Sequence, residues 1–92
     1  MDTLSQEQIA AALAELDGWG FQDEAFVRTF RFPDFVHAVD FVEQLAEVAE
    51  EQKHHPDIDI RYNKVTLRLS SHDAGGVTQR DVKLAEALQQ FA

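Results

Sequence analysis

An α+β domain with three helices on one face of a four-stranded antiparallel sheet, in the order α-β-β-α-β-β-α, is what the sequence predicts. Two regions alternate polar and apolar residues with a period of two around short turns, three regions repeat apolar residues at helical spacing, and no segment demands a parallel crossover. The 92 residues fit a single domain spanning positions 1–92.

The first helix is expected from about Ser5 to Leu16, with Ile9, Leu13 and Leu16 on one face and Ser5 and Gln8 at capping-box spacing. Asp17, Gly18 and Gly20 stop it. The stretch AFVRTFRF, residues 25–32, puts Phe26, Arg28, Phe30 and Phe32 on one side of a strand and Val27, Thr29 and Arg31 on the other, with Trp19 and Phe21 opening its hairpin partner. Pro33 suits a first helical turn. Phe35, Val39, Val42, Leu45, Ala46 and Ala49 then recur at helical spacing to about Gln52 and define a central helix.

Beyond it Ile58, Ile60 and Tyr62 alternate with Asp57, Asp59 and Arg61. Asn63 and Lys64 turn the chain, Asn tolerating the left-handed backbone such a turn can need, and Val65, Leu67 and Leu69 return. Thr78 caps the last helix, Asp81 sits at its third position, and Val77 is placed to staple against Val82.

Bulk properties exclude several classes. The net charge is −9 and the pI about 4.6, and the eight basic residues are scattered, so a phosphate backbone is repelled and direct nucleic-acid binding is not expected. With no cysteine there is no disulfide framework, thiolate metal site or cysteine nucleophile. The start MDTLSQEQ lacks a secretory pattern, and no run of about 18 apolar residues exists to span a bilayer, so the expectation is a cytoplasmic protein without membrane association. A chain of this length buries only about 60 to 65% of its unfolded surface, which points to self-association, with homodimer and homotetramer both open.

The unusual residues fall at element ends, where chemistry is carried more readily than in a core. His54 and His55 stand side by side before Pro56, in the connection from the central helix to the next strand. His72 lies just past the returning strand, and Asp81 opens the last helix. The residue before a proline is pushed out of helical geometry, so Pro56 gives the histidine pair an extended approach. An unperturbed imidazole titrates near 6.5, so a histidine at such a position can serve as acid or base near neutral pH.

Glu50, His54, His55, Pro56, Tyr62, His72 and Asp81 together resemble the motif of the pterin-4a-carbinolamine dehydratases, element by element and in spacing. YNKV, the HD and GG around Ala74, and the RD of Arg80 and Asp81 are also similar to family text. The resemblance runs from about Arg31 to Ala85 and more loosely to Trp19. Ile58 departs from it where some relatives carry a bulky aromatic.

The resemblance implies a lyase that dehydrates 4a-hydroxytetrahydropterin to quinonoid dihydropterin, in tetrahydrobiopterin recycling, with no cofactor and no metal. It implies catalytic roles for His54, His55 and His72, with His55 as the principal acid/base, and substrate contacts from Glu50, Pro56, Trp19, Asp81 and Arg80. Plainer roles stand beside these: Asp81 as a helix cap, Glu50 in a solvated acidic run, Trp19 and Tyr62 as packing residues, and His37 at the surface. Two rival functions are a metal site built from His54, His55, His72 and Asp81, and a protein-interaction module. Some animal members of the family also bind a dimeric transcription factor. The metal reading lacks an i, i+4 histidine pair, and the module has no physical need of the histidine set.

Overall fold

The computed structural model describes residues 2–91. Helix α1 spans Gln6–Glu15, strands β1 and β2 span Gly20–Gln22 and Ala25–Arg31, and the long helix α2 spans Phe35–Gln52. Strands β3 (Asp57–Arg61) and β4 (Lys64–Leu69) follow, then helix α3 (Gln79–Leu88) and a closing 3₁₀ turn at Gln89–Phe91. The sheet is antiparallel throughout in the order β1-β2-β4-β3, so the two sequence-local hairpins join through β2 and β4. This is the expected α+β architecture.

Register decides which residues reach the core. Phe26 pairs with Leu69 and Phe30 with Val65, which directs all four to the face the helices cover, and each is buried. The opposite face carries Thr29 and Thr66, whose hydroxyls meet at 2.9 Å, and the exposed Arg31 and Lys64. Arg28 shares the covered face. Its guanidinium lies 4.3 Å over the Phe30 ring and donates to the Asp17 carbonyl and to Gln89 Oε1, so its charge is answered at the edge of the core. Gly18 is required beside it: its φ is +86°, and a Cβ there would stand 2.9 Å from Arg28 Nε.

Both caps read from the sequence are present, with Ser5 and Gln8 closing one box and Thr78 and Asp81 the other. Other local expectations are corrected. Pro33 is not in the first helical turn: Asp34 caps α2 by accepting from the His37 N–H at 2.9 Å, and Pro33 precedes the cap. The buried stripe of α2 is Ala38, Phe41, Leu45 and Ala49, while Phe35 is 52% exposed and Ala46 is exposed too, because Phe41 takes the place on the sheet against Phe30 and Phe32.

The β3–β4 turn consists of Tyr62 and Asn63, since Arg61 pairs with Lys64, and the left-handed residue is Tyr62 at φ +54° rather than Asn63. Asn63 instead ties the hairpin to Phe32: its Nδ2 donates to the Phe32 carbonyl, and its own carbonyl accepts the Phe32 N–H, each at 2.9 Å. Asp23 and Glu24 are both left-handed, as a two-residue turn of mirror-image type requires. Among the described residues strand β3 pairs only with β4, and it is exposed on both faces, so Ile58 and Ile60 remain open on the helix side.

Candidate active site

The left-handed Lys53, φ +53°, ends α2 and turns the chain toward β3, its N–H held by the carbonyls of Ala49 and Glu50. His54 continues this exit by donating its own N–H to the Ala49 carbonyl at 3.0 Å. Pro56 and the start of β3 at Asp57 follow directly, so the histidine pair is fixed between a helix end and a strand start.

The adjacent side chains meet different surroundings. His54 is buried, and its Nε2 lies 2.5 Å from Oδ1 of the fully buried Asp81. His55 is exposed, with its Nε2 2.5 Å from Oε2 of Glu50 in the last turn of α2. One imidazole is thus clamped from beneath by α3, and the other is backed by a solvated carboxylate. Each carboxylate accepts from the nearby ring nitrogen, which orients the imidazole and favours one tautomer.

Asp81 owes its place to the cap. As the third residue of α3 it turns back so that Oδ2 accepts the Thr78 N–H at 2.8 Å, and the same oxygen accepts the Ser71 hydroxyl at 2.8 Å. The plain capping role and a role toward His54 are therefore filled by one side chain through its two oxygens. With three donors this buried carboxylate has both oxygens hydrogen-bonded, as burial demands.

His72 reaches the same place on the loop after β4. Ser71 donates its N–H to the Gly76 carbonyl at 2.9 Å, and its carbonyl accepts the N–H of Ala74 at 2.9 Å and of Gly75 at 3.0 Å. Gly75 supplies the positive φ, +81°, that this tight return needs. Arg80 donates to Asp73 at 2.6 Å across the loop, and that hydrogen bond holds the Asp73 carboxyl below its ordinary range.

The result is a cleft of about 260 Å³ lined by Lys53, His54, His55, Ser70, Ser71, His72 and Asp73. Pockets for drug-sized ligands run from about 300 to 1,000 Å³, so this one suits a compact ring system. All three histidines line it. Asp81 lies behind His54, Glu50 behind His55, and Arg80 behind Asp73, while Pro56 sets the chain direction beside it.

Trp19 is not brought to this cleft. Its ring is 7% exposed and packs edge-on against Phe30 at 6.1 Å, because the turn after α1 drives it into the core beside Leu16. Tyr62 sits at the exposed hairpin tip. Lys53, Ser70, Ser71 and Asp73 line the cleft without having been singled out from the sequence. Their only signal there is adjacency to the histidines.

Comparison with known proteins gives the family. Residues 2–91 match the family described as Pterin 4 alpha carbinolamine dehydratase. A protein of Thermomicrobium roseum bearing the name pterin-4-alpha-carbinolamine dehydratase is 50% identical over 100% of this chain and 99% of its own length. One of the same name from Chloroflexus aurantiacus is 48% identical over 99% and 98%.

Among solved structures, a transcriptional coactivator/pterin dehydratase from Brucella melitensis superposes with a TM-score of 0.94 at 39% identity, covering 99% of each chain. A pterin dehydratase-like protein identified as a RuBisCO assembly factor in the alpha-carboxysome gives a TM-score of 0.69 at 22% identity, covering 82% of this chain and 89% of its own, and shares the fold. By sequence over its described length and by fold, the chain belongs to the pterin-4-alpha-carbinolamine dehydratase family, a family of hydro-lyases.

Proposed function

We propose that the chain dehydrates a 4a-hydroxytetrahydropterin to the quinonoid dihydropterin, in pterin recycling, by histidine general acid/base catalysis. The C4a hydroxyl accepts a proton and leaves as water, and a ring nitrogen gives up its proton, so atoms and charge balance without any electron transfer. The observation that carries the reading is the convergence of His54, His55 and His72 on one small cleft.

In this reading His55 is the principal proton-transfer group: it is open to solvent, lines the cleft and has Glu50 behind it to stabilise the imidazolium. His54 is committed to Asp81 and orients the substrate, and His72 completes the enclosure and exchanges protons. Lys53 stands in the cleft wall as a donor for a polar edge of the ring, and Arg80 acts from behind by holding Asp73 in that wall. Absorbance-monitored dehydration of freshly generated carbinolamine, at mildly alkaline pH and with the uncatalysed rate subtracted, tests the reading. Turnover above background supports it, and a rate equal to background overturns it.

The proposal includes a homo-oligomer at work in the cytoplasm. Phe35, Val36, Ile58, Ile60 and Tyr62 are large apolar side chains left exposed on α2 and the open β3 hairpin, and no helix among the described residues is long and apolar enough to cross a membrane. A second role as an interaction module draws on the likeness to the coactivator/dehydratase of Brucella melitensis. It would use this apolar surface rather than the cleft.

A further inference from the structure

The mechanism proposed for the histidines makes no use of Ser71, which is 1% exposed although it lies between two residues of the cleft wall. Its hydroxyl donates to Asp81 Oδ2 at 2.8 Å and stands 2.9 Å from the Thr78 hydroxyl. A hydroxyl has one proton to give. With that proton on Asp81, Thr78 is the donor to Ser71, and Thr78 Oγ1 in turn accepts the Arg80 N–H at 3.2 Å. The hydrogen bonds then run in one direction, from the α3 backbone through Thr78 and Ser71 to the carboxylate, and from His54 Nε2 into its other oxygen.

We infer that Ser71 is a positioning residue for the dehydration site: it locks the Asp81 carboxylate, and through it the orientation and Nε2–H tautomer of His54, to the loop that carries His72. The terminal torsion of an aspartate is soft and broadly two-fold, so a carboxylate held through one oxygen alone can swing. Here the Thr78 N–H and the Ser71 hydroxyl pin Oδ2 from two sides, and Oδ1 is left facing His54. The Ser71 backbone is also the hub of the His72 turn, taking the Gly76 carbonyl on its N–H and giving its own carbonyl to Ala74 and Gly75. One residue therefore ties α3, the exit of α2 and the loop after β4 into a single unit. A directional chain of this kind in a buried setting is stronger than its separate links.

The inference rests on the reading of the cleft as the dehydration site, so its test has one arm that needs no turnover. Nitrogen-15 spectra of the histidine-labelled protein distinguish a bare from a protonated ring nitrogen. The parent should show His54 as a single Nε2–H tautomer, Ser71→Ala should show a mixture, and Ser71→Thr, which keeps the hydroxyl, should restore the parent spectrum. In the dehydration assay Ser71→Ala should raise KM about fivefold or more with kcat within about twofold, and Ser71→Thr should reverse the change.

Ser71→Cys, with a side chain of similar size and a weak donor, takes the place of the alanine variant if that variant does not fold. A parent-like His54 spectrum and unchanged KM in the variant lacking the hydroxyl would overturn the inference, even if thermal stability fell, since Ser71 would then be a packing residue. A parent protein that does not dehydrate the carbinolamine would sink the function and leave the tautomer arm to decide the wiring.

Discussion

His54 and Asp81 are 27 residues apart in sequence, yet Nε2 of one lies 2.5 Å from Oδ1 of the other in the buried floor of the cleft. The pair joins the end of α2 to the start of α3, so a feature of the candidate site and a tertiary contact are the same object. Removing Asp81 leaves His54 Nε2 buried without its acceptor, and removing His54 leaves Asp81 Oδ1 buried without its donor, which costs more than the contact contributes.

Asp81→Ala should therefore destabilise the protein by about 2 to 4 kcal/mol, because it strips a capping interaction and leaves the Ser71 hydroxyl, the Thr78 N–H and His54 Nε2 without their acceptor. Thermal denaturation checks this. A melting temperature equal to the parent's would show that Asp81 is not needed for the fold.

His55→Ala should lower turnover by about 10²-fold or more with little loss of stability, since the side chain is exposed. His54→Ala and His72→Ala should cost more in substrate affinity than in turnover. Steady-state kinetics of the three variants separate the roles: full turnover in His55→Ala with none in His72→Ala would exchange them, and parent-like activity in all three would remove the site.

The Asp34–His37 pair predicts a pH signature away from the cleft. The hydrogen bond to Asp34, then its charge, raises His37 above its ordinary 6.5, while the His37 N–H, then its ring, lowers Asp34 below its ordinary 3.8. The histidine contribution is complete below 6.5 and lost as pH rises through its raised folded value. The aspartate contribution is complete above 3.8 and lost as pH falls through its lowered one. Asp34→Asn should thus lose most melting temperature, relative to the parent, between those two limits, and proton NMR should find His37 titrating nearer its ordinary value. An unchanged His37 titration would contradict the coupling.

Activity should survive exhaustive chelation and dialysis, because the acid/base chemistry proposed asks nothing of a metal. Loss on chelation that zinc or iron restores would replace the mechanism.

Light scattering at micromolar concentration should give a mass above that of one chain. Phe26, Phe30 and Phe41 are consumed by the chain's own core, so the argument for assembly rests on Phe35, Val36, Ile58 and Ile60. A strictly monomeric mass would show these side chains to be simply solvated.

The fold and the histidine set were legible because each leaves a local trace. Strand and helix periods, capping boxes at Ser5 and Thr78, and the HHP run all lie within a few residues of chain. What was not legible depends on pairings made at a distance. The buried stripe of α2 shifts to Phe41 because the Phe30 and Phe32 rings wait on β2, and Trp19 goes to the core because Phe30 is there to receive it. Ser71 carries no pattern of its own: a serine beside a histidine says nothing until Asp81 folds beneath it. In the β3–β4 turn Tyr62 takes the left-handed backbone that asparagine usually supplies, while the Asn63 side chain is spent on Phe32.

The left-handed Lys53 that ends α2 also sets which insertions and deletions the chain can accept. An α-helix turns about 100° and climbs about 1.5 Å with each residue, so one residue added upstream of Lys53 within α2 would swing the histidine pair around the helix axis and off Asp81. The tip at Asp23–Glu24 is less bound by such a count: it joins β1 to β2 away from the histidines and meets the cleft wall only where the Ser70 hydroxyl donates to the Glu24 carbonyl at 3.3 Å. Length variation among working relatives is therefore expected to gather at the Asp23–Glu24 tip, with the segment from Glu50 to Pro56 held to a fixed number of residues.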